Sequence, residues 1–204
     1  MNKGNVIIIS GPSGSGKDTI LFEIFKKLPD IFFSISSITR PMRENEKEGE
    51  KYNFISKEEF LKMFFNDELL EYNEYVGNYY GTPRKPVEKA TSEGRDAIIE
   101  VDVNGAAQIR EKLQDAVSIF IMPPSYEELE RRLRGRGTEK EEVIAERMSQ
   151  AIKEIERANE YDYIVVNDKL DDAVNDAISI ILSQRLKLEN KKDIILEVLK
   201  NAKS

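Results

Sequence analysis

The chain contains no cysteine and no histidine among its 204 residues. Without cysteine there are no disulfides and no thiol chemistry; without histidine the usual general base and the commonest transition-metal ligand are missing. Zinc centres and Ser-His-Asp hydrolysis are therefore excluded. Long apolar runs are lacking too, since none approaches the roughly 20 residues that cross a bilayer, and membrane insertion is not expected. Positive charge is in deficit: 31 Lys and Arg stand against 38 Asp and Glu, a net charge of -7. That balance argues against broad nucleic-acid binding and requires any anion site to be built from local clusters of cations. Met1-Asn-Lys-Gly4 leads straight into an apolar run with no charged, apolar and cleavable leader, so a cytoplasmic location is expected.

What is present suffices for one packed core, with 40 % hydrophobic and 34 % charged residues. The chain is organised around residues 6 to 17, Val-Ile-Ile-Ile-Ser-Gly-Pro-Ser-Gly-Ser-Gly-Lys, where a short apolar strand stops in a glycine-rich turn. Gly11, Gly16 and Lys17 fit G-x-x-x-x-G-K, in which glycines let backbone N–H groups wrap polyphosphate oxygens and lysine adds a mobile positive charge. The turn comprises Gly11, Pro12, Ser13, Gly14, Ser15 and Gly16. Ile20, Leu21, Ile24, Phe25 and Leu28 then recur at helical spacing, which aims the positive end of a helix at the same anion. After the lysine the pattern asks for Ser or Thr, whose hydroxyl would ligate magnesium; this chain has Asp18 and then Thr19.

Downstream, Phe32–Arg40 alternates as one strand and gives way to a charged loop, Pro41–Lys51. Short strands are expected around Tyr52–Ile55 and Leu70–Val76, with a helix between them opened by the capping box Ser56–Glu59. Of 17 aromatic residues, eleven fall between Phe32 and Tyr80, so this stretch is a small folded unit with Phe60, Phe64 and Phe65 in its core. Thr82 followed by Pro83 predicts a helix N-cap, and Gly94 the end of that helix. Ala97–Asp102 and Val117–Met122 read as buried parallel strands separated by a helix from Gly105 to Leu113. Capping boxes at Ser125–Glu128 and Thr138–Glu141 open two helices about the glycine hinge Arg134-Gly-Arg-Gly137, carrying Arg131, Arg132, Arg134, Arg136 and Arg147. A last strand, Tyr163–Asn167, precedes a helix with Ala173, Val174, Ala177, Ile178, Ile181 and Leu182 on one face, and a short helix is expected from Lys191. Alternating strands and helices predict a parallel α/β sheet with its ligands beyond the strands' C-terminal ends, where the glycine loop and Asp102 both fall.

These motifs, in this order, resemble the guanylate kinase family. The resemblance is carried by the glycine loop, Ser36-Ser-Ile-Thr-Arg40 with Arg43, Gly49-Glu-Lys-Tyr52-Asn-Phe, Gly77-Asn-Tyr-Tyr80-Gly-Thr82, Asp102 with Gly105, Arg132-Leu-Arg-Gly-Arg136-Gly, and Val166-Asn-Asp168. It implies a P-loop kinase core with a five-stranded parallel sheet, an inserted mixed α/β unit for GMP and a helical lid. The expected boundaries are 1–34, 83–124 and 159–204 for the core, 35–82 for the GMP unit and 125–158 for the lid. It further implies transfer of the γ-phosphoryl group of ATP to GMP or dGMP with magnesium. ATP would be held by residues 11–19 and by Asn167. GMP would be held by Ser36, Arg40, Arg43, Tyr52, Glu71, Tyr80, Thr82, Glu100 and Asp102. Transfer would fall to Lys17, Arg40, Arg132, Arg136 and Arg147, with Asp18 and Asp102 near the metal, directly or through water. The family usually has Asp where this chain has Glu100, and Gln where it has Asn104.

The chemistry of the residues agrees with those roles. A guanine edge presents N1–H and N2–H donors beside the O6 acceptor, so Glu71 can accept while Ser36 and Thr82 donate; adenine would present a lone pair to Glu71. Two arginines and two phenols suit a phosphate dianion. No base is needed, because the acceptor is already an ionised phosphate oxygen. Two rivals remain open on sequence: a kinase of the same architecture for another phosphorylated acceptor such as a ribose bisphosphate, and a non-catalytic guanylate-kinase-like binding module, which should have a degraded phosphate loop. Apart from the resemblance, the arginines would read as a solvated surface, pairing with Glu127, Glu128, Glu130 and Glu146, and the tyrosines as core.

Overall fold

A computed structural model describes residues 3–44, 46–135 and 141–202. In chain order the elements are β1 (Val6–Ser10), α1 (Lys17–Lys27), β2 (Phe32–Phe33), β3 (Ser36–Ile38), β4 (Tyr52–Phe54), α2 (Lys57–Phe65), β5 (Leu69–Tyr75), β6 (Asn78–Pro83), α3 (Arg84–Ser92), β7 (Ala97–Glu100), α4 (Val103–Lys112), β8 (Val117–Met122), α5 (Tyr126–Arg134), α6 (Glu141–Glu156), β9 (Tyr163–Val166), α7 (Leu170–Gln184) and α8 (Lys192–Asn201). The order β2-β7-β1-β8-β9 forms a five-stranded sheet, parallel throughout. β1 lies at its centre because its isoleucines are apolar toward both faces. Ile7 and Ile9 pack on α1 and α7 through Ile20, Ile24, Ala173, Val174, Ala177 and Ile181, while Ile8 faces Val87 of α3 and Ala106 and Ile109 of α4.

A second, mixed sheet has the order β4-β3-β6-β5. β3 runs parallel to β4 and antiparallel to β6, and β5 pairs antiparallel with β6. The single strand expected over Phe32–Arg40 is two strands in two sheets. Phe32 and Phe33 pair with Ala97 and Ile98 of the large sheet, whereas Ser37 and Ile38 pair with Gly81 and Tyr80 of the small one. Both ladders demand extended backbone, so alternation runs through the crossing without a break in pattern.

The core aromatics are fewer than their spacing suggests. Phe60 is buried and stacks on Tyr79 with ring centroids 5.3 Å apart, but Phe65 is 78 % exposed and Phe64 sits at the rim. The capping box of α2 is complete: Ser56 Oγ accepts from Glu59 N–H at 3.1 Å, and Glu59 Oε2 accepts from Ser56 N–H at 2.9 Å. In the Ser125 box of α5, Ser125 Oγ accepts from Glu128 N–H, while the Glu128 carboxylate is taken by Arg131 and Arg132. Thr138 lies outside the described residues. Thr82 does not cap α3; Pro83 holds that position and the Thr82 hydroxyl is turned to Glu71. α8 is helical, as expected for the tail, and buries none of its residues. Among the described residues no helix is long and apolar enough to cross a membrane.

Removing the Phe60 ring leaves a cavity under the small sheet, so Phe60→Ala is expected to destabilise by about 3–5 kcal/mol in urea unfolding, and Phe65→Ala by less than about 0.5 kcal/mol. Equal losses would contradict this placement of the core.

Candidate active site

The phosphate loop follows β1, where the sheet ends and the backbone must turn sharply. Gly14 and Gly16 both have φ near +90°, the left-handed region that glycine enters without strain. A Cβ on Gly16 would also stand 2.3 Å from Asn167 Nδ2. The loop is pinned from outside through one carbonyl: Ser15 O accepts from Asn167 Nδ2 at 2.7 Å and from Arg132 at 3.4 Å, and Arg132 also donates to Asn167 O at 2.9 Å. From inside, the Lys17 ammonium is folded onto Gly11 O at 2.6 Å and Pro12 O at 3.4 Å. Burial lowers its pKa, opposed by the nearby carboxylates of Glu100, Glu154 and Asp18.

Asp18 opens α1 beside these groups. It hydrogen-bonds Glu100, at the end of β7, and lies 3.3 Å from Lys51 Nζ. Desolvation pushes the Asp18 carboxyl upward, but Lys51, the Glu100 hydrogen bond and Lys17 outweigh it, and the net shift is downward. Glu100 moves the other way, raised by burial and by the Asp18 charge. Asp102 is the N-cap of α4: its Oδ1 accepts from Gly105 N–H at 2.8 Å and its Oδ2 from Asn73 Nδ2 at 3.2 Å. Among the described residues there is no cluster of three or more acidic groups that would hold a metal ion alone. A magnesium shared with phosphate oxygens and water needs only one or two carboxylates, and Asp18 with Glu100 fits that donor set.

Across the cleft, Glu71 of β5 is buried and accepts from Thr82 Oγ1 at 2.7 Å. Gly105 packs against it so closely that a Cβ there would lie 3.1 Å from Oε2. Burial raises the Glu71 pKa to about 7, helped by the Asp102 charge and opposed by the Thr82 hydrogen bonds. Arg40 lies over the Tyr52 and Phe54 rings and is gripped by Glu46 through two hydrogen bonds of 2.7 and 2.6 Å. Glu46 also accepts from Arg43 N–H at 2.9 Å, and these bonds hold its carboxyl down at about 2. A carboxylate of the chain thus occupies the arginine fork. Arg43 itself is exposed. From α6, Arg147 donates to Ser13 Oγ, while Arg132 of α5 is paired with Glu128 at 2.7 Å as well as docked on the loop. Arg136 lies outside the described residues.

A cavity of about 590 Å³ joins the two halves, bounded by the phosphate loop, Asp18 and Thr19 on one side and by Ser36, Tyr52, Glu71 and Tyr80 on the other, with Glu100 and Asp102 between. The guanylate kinase family model matches residues 3–184. The chain belongs to the guanylate kinase family. A guanylate kinase of Carboxydothermus hydrogenoformans is 48 % identical over 187 residues, covering 92 % of each chain. One from Clostridium perfringens strain 13 is 45 % identical over 196 residues, covering 96 % of this chain and 91 % of that one. The crystal structure of the guanylate kinase of Anaplasma phagocytophilum superposes with a TM-score of 0.76 at 34 % identity, covering 96 % of this chain and 95 % of that one.

Within the cavity of this family member lie residues to which the sequence assigned no role. Lys51, Asn73, Tyr75 and Glu154 line it, and so does Ser34, whose buried hydroxyl is without a protein partner. Ser34 falls where the chain crosses between sheets, a junction that alternation conceals. The raised Glu71 pKa carries a stability consequence. A carboxyl whose pKa is higher folded than unfolded favours the fold at low pH, and that contribution is lost as pH rises through about 7. Glu71→Gln removes the loss, so the variant is expected to melt above the parent at pH 8 and to gain less at pH 6. A gain that is larger at pH 6 would contradict the assignment.

Proposed function

We infer that the protein is an ATP:GMP phosphotransferase, moving the γ-phosphoryl group of ATP to GMP, and to dGMP, to give ADP and GDP in purine nucleotide metabolism. Membership of the family over most of the chain carries the reading. The buried Glu71–Thr82 pair, set across one cavity from an intact phosphate loop, supports it. A non-catalytic binding module is not favoured, since Gly11, Gly16, Lys17 and Arg132 make a shaped and pinned loop. The working division is a core of 1–34, 83–124 and 159–204, a GMP unit of 35–82 and a lid of 125–158.

In this proposal the backbone N–H groups of residues 11–19 hold the ATP phosphates, with Lys17 leaving Gly11 O for them, and Asn167 lies beside adenine as well as bracing the loop. Glu71 accepts from guanine N1–H and N2–H, and Ser36 and Thr82 donate to O6, the Thr82 hydroxyl turning from Glu71 to the base. Tyr52, Tyr80, Arg40 and Arg43 take the GMP phosphate, Arg40 exchanging Glu46 for it. Glu100 and Asp102 complete the ribose and base side. A GMP phosphate oxygen forms a bond to the γ-phosphorus as the bond to the β,γ-bridging oxygen breaks, and ADP leaves. Lys17, Arg40, Arg132, Arg136 and Arg147 offset the charge that spreads over the group in flight, a task in which arginines count for several powers of ten in related transfers. Asp18 with Glu100, and Asp102 through water, would hold magnesium, which neutralises the β- and γ-phosphates when bound. An enzyme drawing on ATP and GMP works in the cytoplasm, where both are made, and its partners are these small molecules.

The test is to supply MgATP with GMP, dGMP, AMP, UMP or a ribose bisphosphate in turn and follow ADP. GMP or dGMP is expected to be the best acceptor, and Glu71→Gln to lower kcat/KM for GMP at least about a hundredfold. AMP, UMP or the ribose phosphate as best acceptor would overturn the reading.

A further inference from the structure

Lys51 belongs to the charged stretch between Arg40 and Tyr52, and its composition alone marks it as solvated surface. Its side chain instead crosses the cleft: Nζ lies 3.3 Å from Oδ2 of Asp18, the second residue of α1. The contact joins the small sheet's unit to the helix of the phosphate loop, and both residues line the main cavity. The two side chains are 54 % and 69 % exposed, and an ion pair so open to water adds little to stability. Its position is the informative part. Next to Lys51 stands Tyr52, whose ring lies under Arg40, so Lys51 marks the boundary between the acceptor-phosphate side and the phosphate loop.

A phosphate dianion approaching a bound triphosphate meets strong repulsion there, and the cations nearest the boundary are already engaged. Lys17 is inside the loop and the Arg40 fork is filled by Glu46. An ammonium is a compact charge with three donors on a flexible stem, able to change partners without the fixed geometry of a guanidinium. A dianion also outcompetes a single carboxylate for it.

We propose that Lys51 is a catalytic residue of the transfer, releasing Asp18 when the nucleotides bind and donating hydrogen bonds to the acceptor phosphate. The proposal rests on the GMP-acceptor reading above. Lys51 gives up no proton: the acceptor oxygen bonds to the γ-phosphorus, the β,γ-bridging oxygen departs with its electron pair on ADP, and the ammonium holds the acceptor on line. Until the nucleotides bind, Asp18 keeps the lysine directed into the cleft. The pair is therefore a placeholder, and its two members act on GMP in opposite senses.

Those opposite senses make the test. GMP binding is measured by calorimetry without ATP or metal on the full-length parent, Lys51→Met, Lys51→Arg and Asp18→Asn, followed by steady-state kinetics with saturating MgATP. Lys51→Met is expected to bind GMP about fivefold to tenfold more weakly and to lose kcat by about tenfold or more, with Lys51→Arg recovering most of both. Asp18→Asn removes the competitor and should bind GMP at least as tightly as the parent. If Lys51→Met and Asp18→Asn weaken GMP binding alike, the pair is only a structural tie and the proposal is overturned. It is equally overturned if Lys51→Met keeps both GMP affinity and kcat within about twofold. A parent chain that binds GMP without phosphorylating it would remove the kinase reading, while the sign of the two affinity changes would still decide whether Lys51 contacts the phosphate.

Discussion

The arrangement depends on holding a run of peptide groups in a shape they would not keep alone. A loop that turns its N–H groups toward an anion directs carbonyls elsewhere, and a buried carbonyl needs a donor. Ser15 O receives two, from Asn167 at the end of β9 and from Arg132 in α5. The end of β9 and helix α5 are thus tied to the same peptide. Gly16 meets the Asn167 amide where no Cβ could stand, so the glycine answers both to backbone conformation and to the brace. Arg132 then has two duties in one guanidinium, shaping the loop and carrying charge beside it.

The side of the cavity facing the phosphate loop is built on a conflict. Glu71 is buried against Gly105 and near Asp102, surroundings that favour its neutral form, and Thr82 supplies compensating hydrogen bonds from its side chain and its backbone. Guanine would bring two donors of its own and shift the balance to the carboxylate, so the base would supply what the fold leaves wanting. Arg40 shows the same economy, with Glu46 standing where a phosphate could sit. Charged groups kept in place by replaceable partners lose little reorganisation when a ligand arrives.

Much of this was legible from the chain. The run Val6–Lys17 announced strand, turn and helix because three independent signals coincided there, and the central strands Ala97–Glu100 and Val117–Met122 were plain from their apolar composition. The β5–β6 hairpin was not, because its turn is Val76-Gly77, with φ of 49° and 70°, and a β-branched residue at positive φ is no hairpin signal. Phe64 and Phe65 misled because apolarity marks what can be buried rather than what is. Thr82 carried two compatible messages, helix cap and site hydroxyl, and only its hydrogen bond to Glu71 separates them. Lys51 lies inside the run Gly49–Phe54, but nothing in that run points to its contact with Asp18, 33 residues away.

We propose that Glu71 reads guanine across from the phosphate loop. A crystal structure of the complex with GMP and ADP measures it directly. Guanine N1 and N2 are each expected within about 3.2 Å of a Glu71 carboxylate oxygen, with the GMP phosphate directed at the ADP on the loop. A base bound elsewhere in the cleft, with Glu71 still bonded to Thr82 alone, would contradict it.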